Sequence, residues 1–362
     1  MRKIKSSQLS IGTYTFLPIG NKNILGKSWV KSTEVMPRTV ALTRKLYPLS
    51  PNDIYSGSVW TTQTSNFGTA NIIYSVAYGN SLWVAVGTAG QIRTSTDAVT
   101  WTTQTSNFTT TINSVAYGNS LWVAGGSSGQ IRTSTDAITW TTQTSNFGTT
   151  FILSVAYGNS LWVAGGNSGQ LRTSTDAVTW TTRTSGFGTS QIFSVAYANN
   201  LWVAGGYSAS SAQLRTSTDG VTWTLRTSQF NTTSIFSVAY GNNLWVAGGS
   251  GGQLSTSTDG ITWTARTANF GTSIINSVAY GNNLWVAGGD GGTLSTSTDA
   301  VTWTTRTSTF STSAINSVAY GNNIWVLAGD AGQIKTLDST RILIQAPQVE
   351  TPTGYEAWVK IR

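Results

Sequence analysis

The chain has 362 residues with 21 Lys or Arg against 13 Asp or Glu, a formal charge of +8, yet charged residues make up only 9% of it. The absence of Cys and His excludes disulfides, thiolate nucleophiles, imidazole bases and nearly all zinc or haem sites, so neither a metal nor a cofactor is expected. With 16 Trp, 13 Tyr and 11 Phe there is ample apolar area for a core, and the chain is not a disordered low-complexity sequence.

Residues 1–56 hold most of the positive charge: Arg2, Lys3, Lys5, Lys22, Lys27, Lys31, Arg38, Arg44 and Lys45 stand against Glu34 and Asp53, a net of +7. Pro18, Pro37, Pro48 and Pro51 punctuate the same segment, which reads as an extended basic docking arm. Its cations are dispersed among apolar and hydroxylic residues, which favours an acidic protein surface over nucleic acid as its partner. The opening MRKIKSSQLSIGTYTFLPIG lacks the apolar core of a signal peptide, and no run approaches a membrane span. The expectation is a protein made in a host cytoplasm and released by a route such as lysis, without membrane insertion.

From residue 57 the chain repeats itself. The tetrapeptide SVAY begins at Ser75, Ser114, Ser154, Ser194, Ser237, Ser277 and Ser317, with spacings of 39 to 43 residues, a period of propellers and solenoids. In the copy SVAYGNNLWVAGGDGGTLSTSTDAVTWTTRTS, residues 277–308, alternation and turn residues mark four short strands: SVAY, LWVAGG, TLSTS and VTWTTRTS. Gly or Asn of GNN and GNS supplies the positive φ of the first hairpin, and Asn suffices in Ala198-Asn199-Asn200. A Gly-rich corner follows the second strand. In the third corner, STDA or STDG, the Asp carboxylate can accept backbone N–H bonds as in an Asx-turn. With no helical period and no Pro between 57 and 340, this pattern predicts an all-β, seven-bladed β-propeller of four-stranded antiparallel blades.

The outer-strand Trp occurs at Trp60, Trp101, Trp140, Trp180, Trp223, Trp263 and Trp303, so the first precedes the first SVAY. Residues 57–65 are therefore expected to supply the outer strand of the last blade and close the ring, which hides its edges. A competing register places Ile342 where that Trp should be, four after Asp338, and copies the Trp less well. The propeller spans 57–340, and its nine Lys or Arg balance nine Asp. The tail, 341–362, contains Pro347 and Pro352 and ends in YEAWVKIR, where Tyr355, Ala357, Val359 and Ile361 alternate as in a half-buried strand. Arm and tail could share a small sheet or fold onto a partner.

The WD40 pattern fits the period, but its Gly-His signature needs a histidine. The motif S-T-D-[AG]-x-T-W resembles the Asp-box, or BNR, repeat of sialidase-like propellers across all seven blades. It departs in placing Gly or Ala directly after the Asp and Trp four after it, which suggests a turn one residue tighter. The resemblance implies structural turns at Asp97, Asp136, Asp176, Asp219, Asp259, Asp299 and Asp338. Sialidase activity would further require a Tyr–Glu nucleophile pair, a separate acid and an arginine triad, and the propeller contains no Glu. No catalytic residues are expected, and the chain is expected not to be an enzyme.

Two features depart from the repeat. Arg93, Arg132, Arg172 and Arg215 give way to Ser255, Ser295 and Lys335 around the third strand. Arg183, Arg226, Arg266 and Arg306 on the fourth strand replace Gln63, Gln104 and Gln143 of other blades. These are either solvated outer-face residues or a basic arc for an anionic glycan or acidic partner. The second corner of blade four, GGYSASSAQL, is three residues longer than GGNSGQL, with Tyr207 as a candidate exposed contact.

Near-identical blades, a Thr/Ser/Asn-rich surface and terminal arms are similar in style to structural or host-attachment proteins of bacteriophage virions, such as tail, fibre or decoration components. This likeness implies docking on other virion proteins through 1–56 and 341–362 and contact with a host receptor or glycan. The alternative is a cellular assembly factor similar to photosystem II assembly propellers. A glycosidase is the third reading, disfavoured by the missing carboxylates.

Overall fold

The computed structural model describes residues 60–208, 211–230 and 233–339, together with the backbone of strands Leu9–Ile11, Tyr14–Pro18, Trp29–Lys31 and Tyr355–Lys360. The chain divides into two units, one of residues 58–341 and one joining 1–57 with 342–362.

The larger unit is a seven-bladed β-propeller, each blade a four-stranded antiparallel sheet. The first blade runs Ile73–Gly79, Leu82–Gly87, Ile92–Ser95 and Thr102–Gln104, and its successors repeat that order. The seventh takes three strands from Ile315–Gly321, Ile324–Gly329 and Ile334–Asp338, and its outer strand is Thr61–Gln63. Lys335 pairs with Thr62 across that seam, and the Ser65 hydroxyl donates to the Gly332 carbonyl at 2.5 Å. Trp60 is buried just before the closing strand.

The second strand, LWVAGG, explains where the core sits. Trp83 and Ala85 pack with Val326 and Ile334 of blade seven, while Val84 and Val86 pack with Ile112, Val115 and Trp122 of blade two. Both faces of each blade are covered by a neighbour, so this strand reads as a continuous apolar run instead of alternating. The indole N–H groups of Trp83, Trp122, Trp202, Trp245, Trp285 and Trp325 are buried without a hydrogen-bond acceptor.

The innermost strands have an edge with no strand partner, and SVAY resolves it. The hydroxyl of each Ser accepts the N–H of the next blade's Val: Ser75 takes Val115, Ser114 takes Val155, Ser154 takes Val195, and Ser317 takes Val76 across the closure. Ser194, Ser237 and Ser277 do the same toward Val238, Val278 and Val318, so the belt is continuous. Buried N–H groups without partners are costly, which gives this serine its purpose.

The hairpin after SVAY differs from the sequence reading in one respect. Asn80 and Ser81, at φ 47° and 59°, are the left-handed turn residues, and Gly79 is not. Gly79 is instead a close-approach residue, because a Cβ there would collide with the Tyr117 ring of the next blade. Blade four carries Ala198 at this place, with Asn199 and Asn200 making the turn.

In the smaller unit the tail strand Tyr355–Lys360 lies between Tyr14–Pro18 and Trp29–Lys31, with Leu9–Ile11 outside Tyr14–Pro18. All pairs are antiparallel, as in Phe16 with Ala357 and Val30 with Val359. Lys31 ends one of these strands. The other cations assigned to the arm, Arg2, Lys3, Lys5, Lys22, Lys27, Arg38, Arg44 and Lys45, lie outside the described residues.

Candidate functional site

Six of the seven aspartates assigned to turns make one repeated unit. In blade three, Asp176 Oδ1 accepts the N–H groups of Val178 and Thr179 and the hydroxyl of Ser174, each at 2.8 Å. Ala177 sits left-handed at φ 60°, and its carbonyl accepts the Trp180 indole N–H at 3.0 Å. Asp97, Asp136, Asp219, Asp259 and Asp299 accept the same backbone donors. The Thr222 and Val221 N–H groups hold the Asp219 carboxyl down to about 2.

Asp338 is not the seventh turn aspartate. Leu337 pairs with Trp325 where Ser297 pairs with Trp285, so Asp338 stands in the place of Thr298 and ends the strand opposite Ile324. Ser339 occupies the place of Asp299, and its hydroxyl donates to the Asn323 carbonyl. Counting from the aspartate in KTLDST misleads by one residue, because Leu337 replaces the serine that would bind it.

Neither arginine set is a solvated outer-face array. Arg93 and Arg172 are buried, their guanidinium groups 4.7 and 4.8 Å above the Phe67 and Phe147 rings and bonded to the Asn66 and Asn146 carbonyls. Arg132, Arg215 and Lys335 stack likewise on Phe108, Phe187 and Phe310. Burial lowers the proton affinity of all five.

Arg183, Arg226, Arg266 and Arg306 are half-buried, one on each of four consecutive outer strands, and each Nε donates to a threonine hydroxyl one strand in at 2.8–2.9 Å. Gln63, Gln104 and Gln143 make the same bond in the remaining blades. These arginines lie one to a blade on blades three to six. Tyr207 is half-buried: the insertion in blade four extends the ladder, pairing Tyr207 with Gln191 and Ala212, in place of the short corner seen elsewhere.

The positions that the fold does gather lie on the innermost strands. Every one of these carries a β-bulge between its Ile and its Ser, and the extra residue is Tyr74, Asn113, Leu153, Phe193, Phe236, Asn276 or Asn316. Bulges re-aim side chains. Here they turn seven half-buried side chains along the ring at the end of the propeller that carries the second corners.

Neighbours reach one another. Phe193 and Phe236 pack together, tilted by 41° with ring centroids 4.6 Å apart, and Asn113 donates to the Ile152 carbonyl of the next blade. Asn276 Nδ2 donates to Asp290 Oδ1 at 2.9 Å and to the Ile315 carbonyl at 3.2 Å. Asn316 repeats this with Asp330 and the Ile73 carbonyl at the same distances. Burial first, then the Asp330 charge, raises the Tyr74 hydroxyl above its ordinary value and keeps it protonated.

The ring thus has an apolar arc, Leu153, Phe193 and Phe236 on blades three to five, and a polar arc ending in two carboxylates on blades six and seven. Its signal was visible in the sequence as the single unmatched letter between Ile and SVAY, but nothing in a repeat count says that this letter is the extra residue of a bulge. Among the described residues no group of three His, Cys, Asp or Glu is placed to hold a metal ion, and no helix is long and apolar enough to cross a membrane. The groups offered by the ring are amides, carboxylates and aromatic faces, a set suited to holding a ligand.

No protein-family model matches the chain, and no curated protein does. Solved structures share the fold. YCF48 from Cyanidioschyzon merolae aligns with a TM-score of 0.62 and 16% identity over 79% of this chain and 100% of that one. A structure of YCF48 bound to D1 peptide aligns with a TM-score of 0.62 and 16% identity over 77% of this chain and 94% of that one. The WD40 repeats of RRP9 align with a TM-score of 0.63 and 11% identity over 78% and 98%.

Proposed function

We propose that this chain is a non-enzymatic interaction protein of a bacteriophage virion, docked through residues 1–56 and 341–362 and using its propeller for contact with a host receptor or glycan. One observation carries the binding role. The blades are alike where residues hold the ring together and differ at the bulge that feeds the corner-bearing mouth. Rigidity does not require that difference, which leaves those positions available to a ligand. The non-catalytic reading is supported by the turn aspartates, each of whose Oδ1 atoms is already engaged by two backbone donors.

Particles purified from lysates of the producing host should contain the chain by mass spectrometry, and antibody against the propeller should label them. Absence from particles would overturn the virion role. So would turnover of sialosides or other glycosides, abolished by a single Asp substitution, overturn the non-enzymatic role. A second reading, a cellular assembly factor, is supported by the fold likeness to YCF48, one of whose structures holds D1 peptide. Stable recovery of the chain with an assembling membrane complex, and not with particles, would favour it.

A further inference from the structure

We propose that the ring of bulge residues docks an extended polypeptide segment that carries a lysyl or arginyl side chain beside an aromatic or aliphatic one. This deepens the binding role proposed above and rests on it. Both amide hydrogens of Asn276 are used, one on Asp290 and one on the Ile315 carbonyl, and Asn316 spends its pair on Asp330 and the Ile73 carbonyl. Since both targets can only accept, the orientation of each amide is fixed by chemistry.

What these residues leave for a ligand is therefore the amide oxygens of Asn276 and Asn316 and the remaining lone pairs of two carboxylates. That is a surface of acceptors with negative charge. Among the described residues no cation pairs with Asp290 or Asp330, whereas elsewhere in the propeller arginines are seated on phenylalanine rings and bonded to carbonyls, and turn aspartates are filled by N–H groups. Charge complementarity asks for a donor-only cation, and ammonium and guanidinium groups are the side chains of that kind.

The other arc sets the second requirement. Phe193 and Phe236 pack together across two blades and remain half-buried, beside Leu153, and Phe151 in the same stretch of blade three is exposed. An occupant must cover rings on one side of the mouth and offer a cation on the other. An extended peptide can meet both requirements, since successive side chains alternate in direction and the chain advances about 3.3 Å per residue. A neutral oligosaccharide would satisfy the rings and leave two carboxylates without countercharge.

The test uses the full chain and fluorescence anisotropy with labelled synthetic decapeptides in which Lys or Arg alternates with Phe or Leu. Matched peptides replace the cations by Gln or the apolar residues by Ser, and a neutral oligosaccharide array runs beside them. Only the cationic–apolar peptides should bind, with affinity falling as salt rises. Asp290→Asn with Asp330→Asn, which preserves shape, should weaken binding about tenfold or more. Phe193→Ser should weaken it as well, and Asp176→Asn on the opposite turns should not, with thermal melts confirming that each variant is folded.

Absence of binding, equal binding of the Gln peptides, or binding unchanged by the Asp290 and Asp330 substitutions would each overturn the proposal. Capture of neutral oligosaccharides lost on those substitutions would assign the mouth to glycans and overturn it too. The virion role fails separately, through absence from particles, and leaves the peptide result standing.

Discussion

The two ends of the propeller are built from the same repeats and treated differently. At the end with the Asn–Ser and Asn–Asn hairpins, the turn aspartates, their serines and their indoles recur in six blades, and each makes the same bonds. At the end with the second corners, the bulge position holds an aromatic, an aliphatic or an amide residue depending on the blade. Sameness follows backbone demand. A turn carboxylate fills donors that six blades share, whereas at the bulge only Asn113, Asn276 and Asn316 bond a carbonyl of the next blade, so the backbone does not dictate the residue there.

Opening the ring should cost the most stability. Removing residues 1–66 takes away Trp60 and the strand that covers Ile334–Asp338, while removing 1–55 leaves both. The longer deletion is expected to lose cooperative melting, since a buried Trp alone contributes about 3–5 kcal/mol, and the shorter one to keep it. Equal melting temperatures would refute closure by this strand.

Next in size is the serine belt. Ser154→Ala strands the buried Val195 N–H, at a cost of about 1–3 kcal/mol. Chemical denaturation should show it.

The turns come third. Asp176→Ala removes an acceptor used by two backbone donors, and a loss of about 1 kcal/mol is expected, typical of caps. Their pH dependence has a defined sign. Asp219 falls from 3.8 toward about 2 on folding, so the stability it adds is complete above pH 3.8 and disappears as pH drops through 2. The other five shift in the same direction, so acid unfolding should steepen over that window, and turn Asp→Asn variants should flatten it.

Two tryptophans differ in the same respect. The Trp101 indole donates to the Ala98 carbonyl, whereas the Trp83 indole N–H has no acceptor. Trp101→Phe should cost about 1 kcal/mol more in hydrogen bonding than Trp83→Phe, once lost packing is matched. The smallest effect belongs to the mouth. Leu153→Asn, which copies the residue of blade two, should change stability by less than about 0.5 kcal/mol, because Leu153 is half-buried and outside the ladder.

Much of this architecture was legible in the letters. A period near 40, four strand-length pieces per copy and a Trp that precedes its own blade require a ring of seven with an interlocked end, because each blade buries both faces only against neighbours. The turn aspartates were legible for the same local reason: carboxylate and donors lie within three residues of each other. Where the reading went astray, the missing information was nonlocal. Asp338 has the right letter but a strand partner that sets it one place early. Arg93 and Arg172 look solvated until Phe67 and Phe147, from the preceding blades, are laid beneath them. Tyr207 looks like a loop tip until the ladder extends to meet it. The mouth was hidden most fully, since a bulge exists only between two paired strands and its neighbours come from different blades. Sequence determined the repeat, the closure and the turns, which depend on contacts inside one copy or between identical copies. Tertiary structure alone decided which unlike residues of different copies face one another.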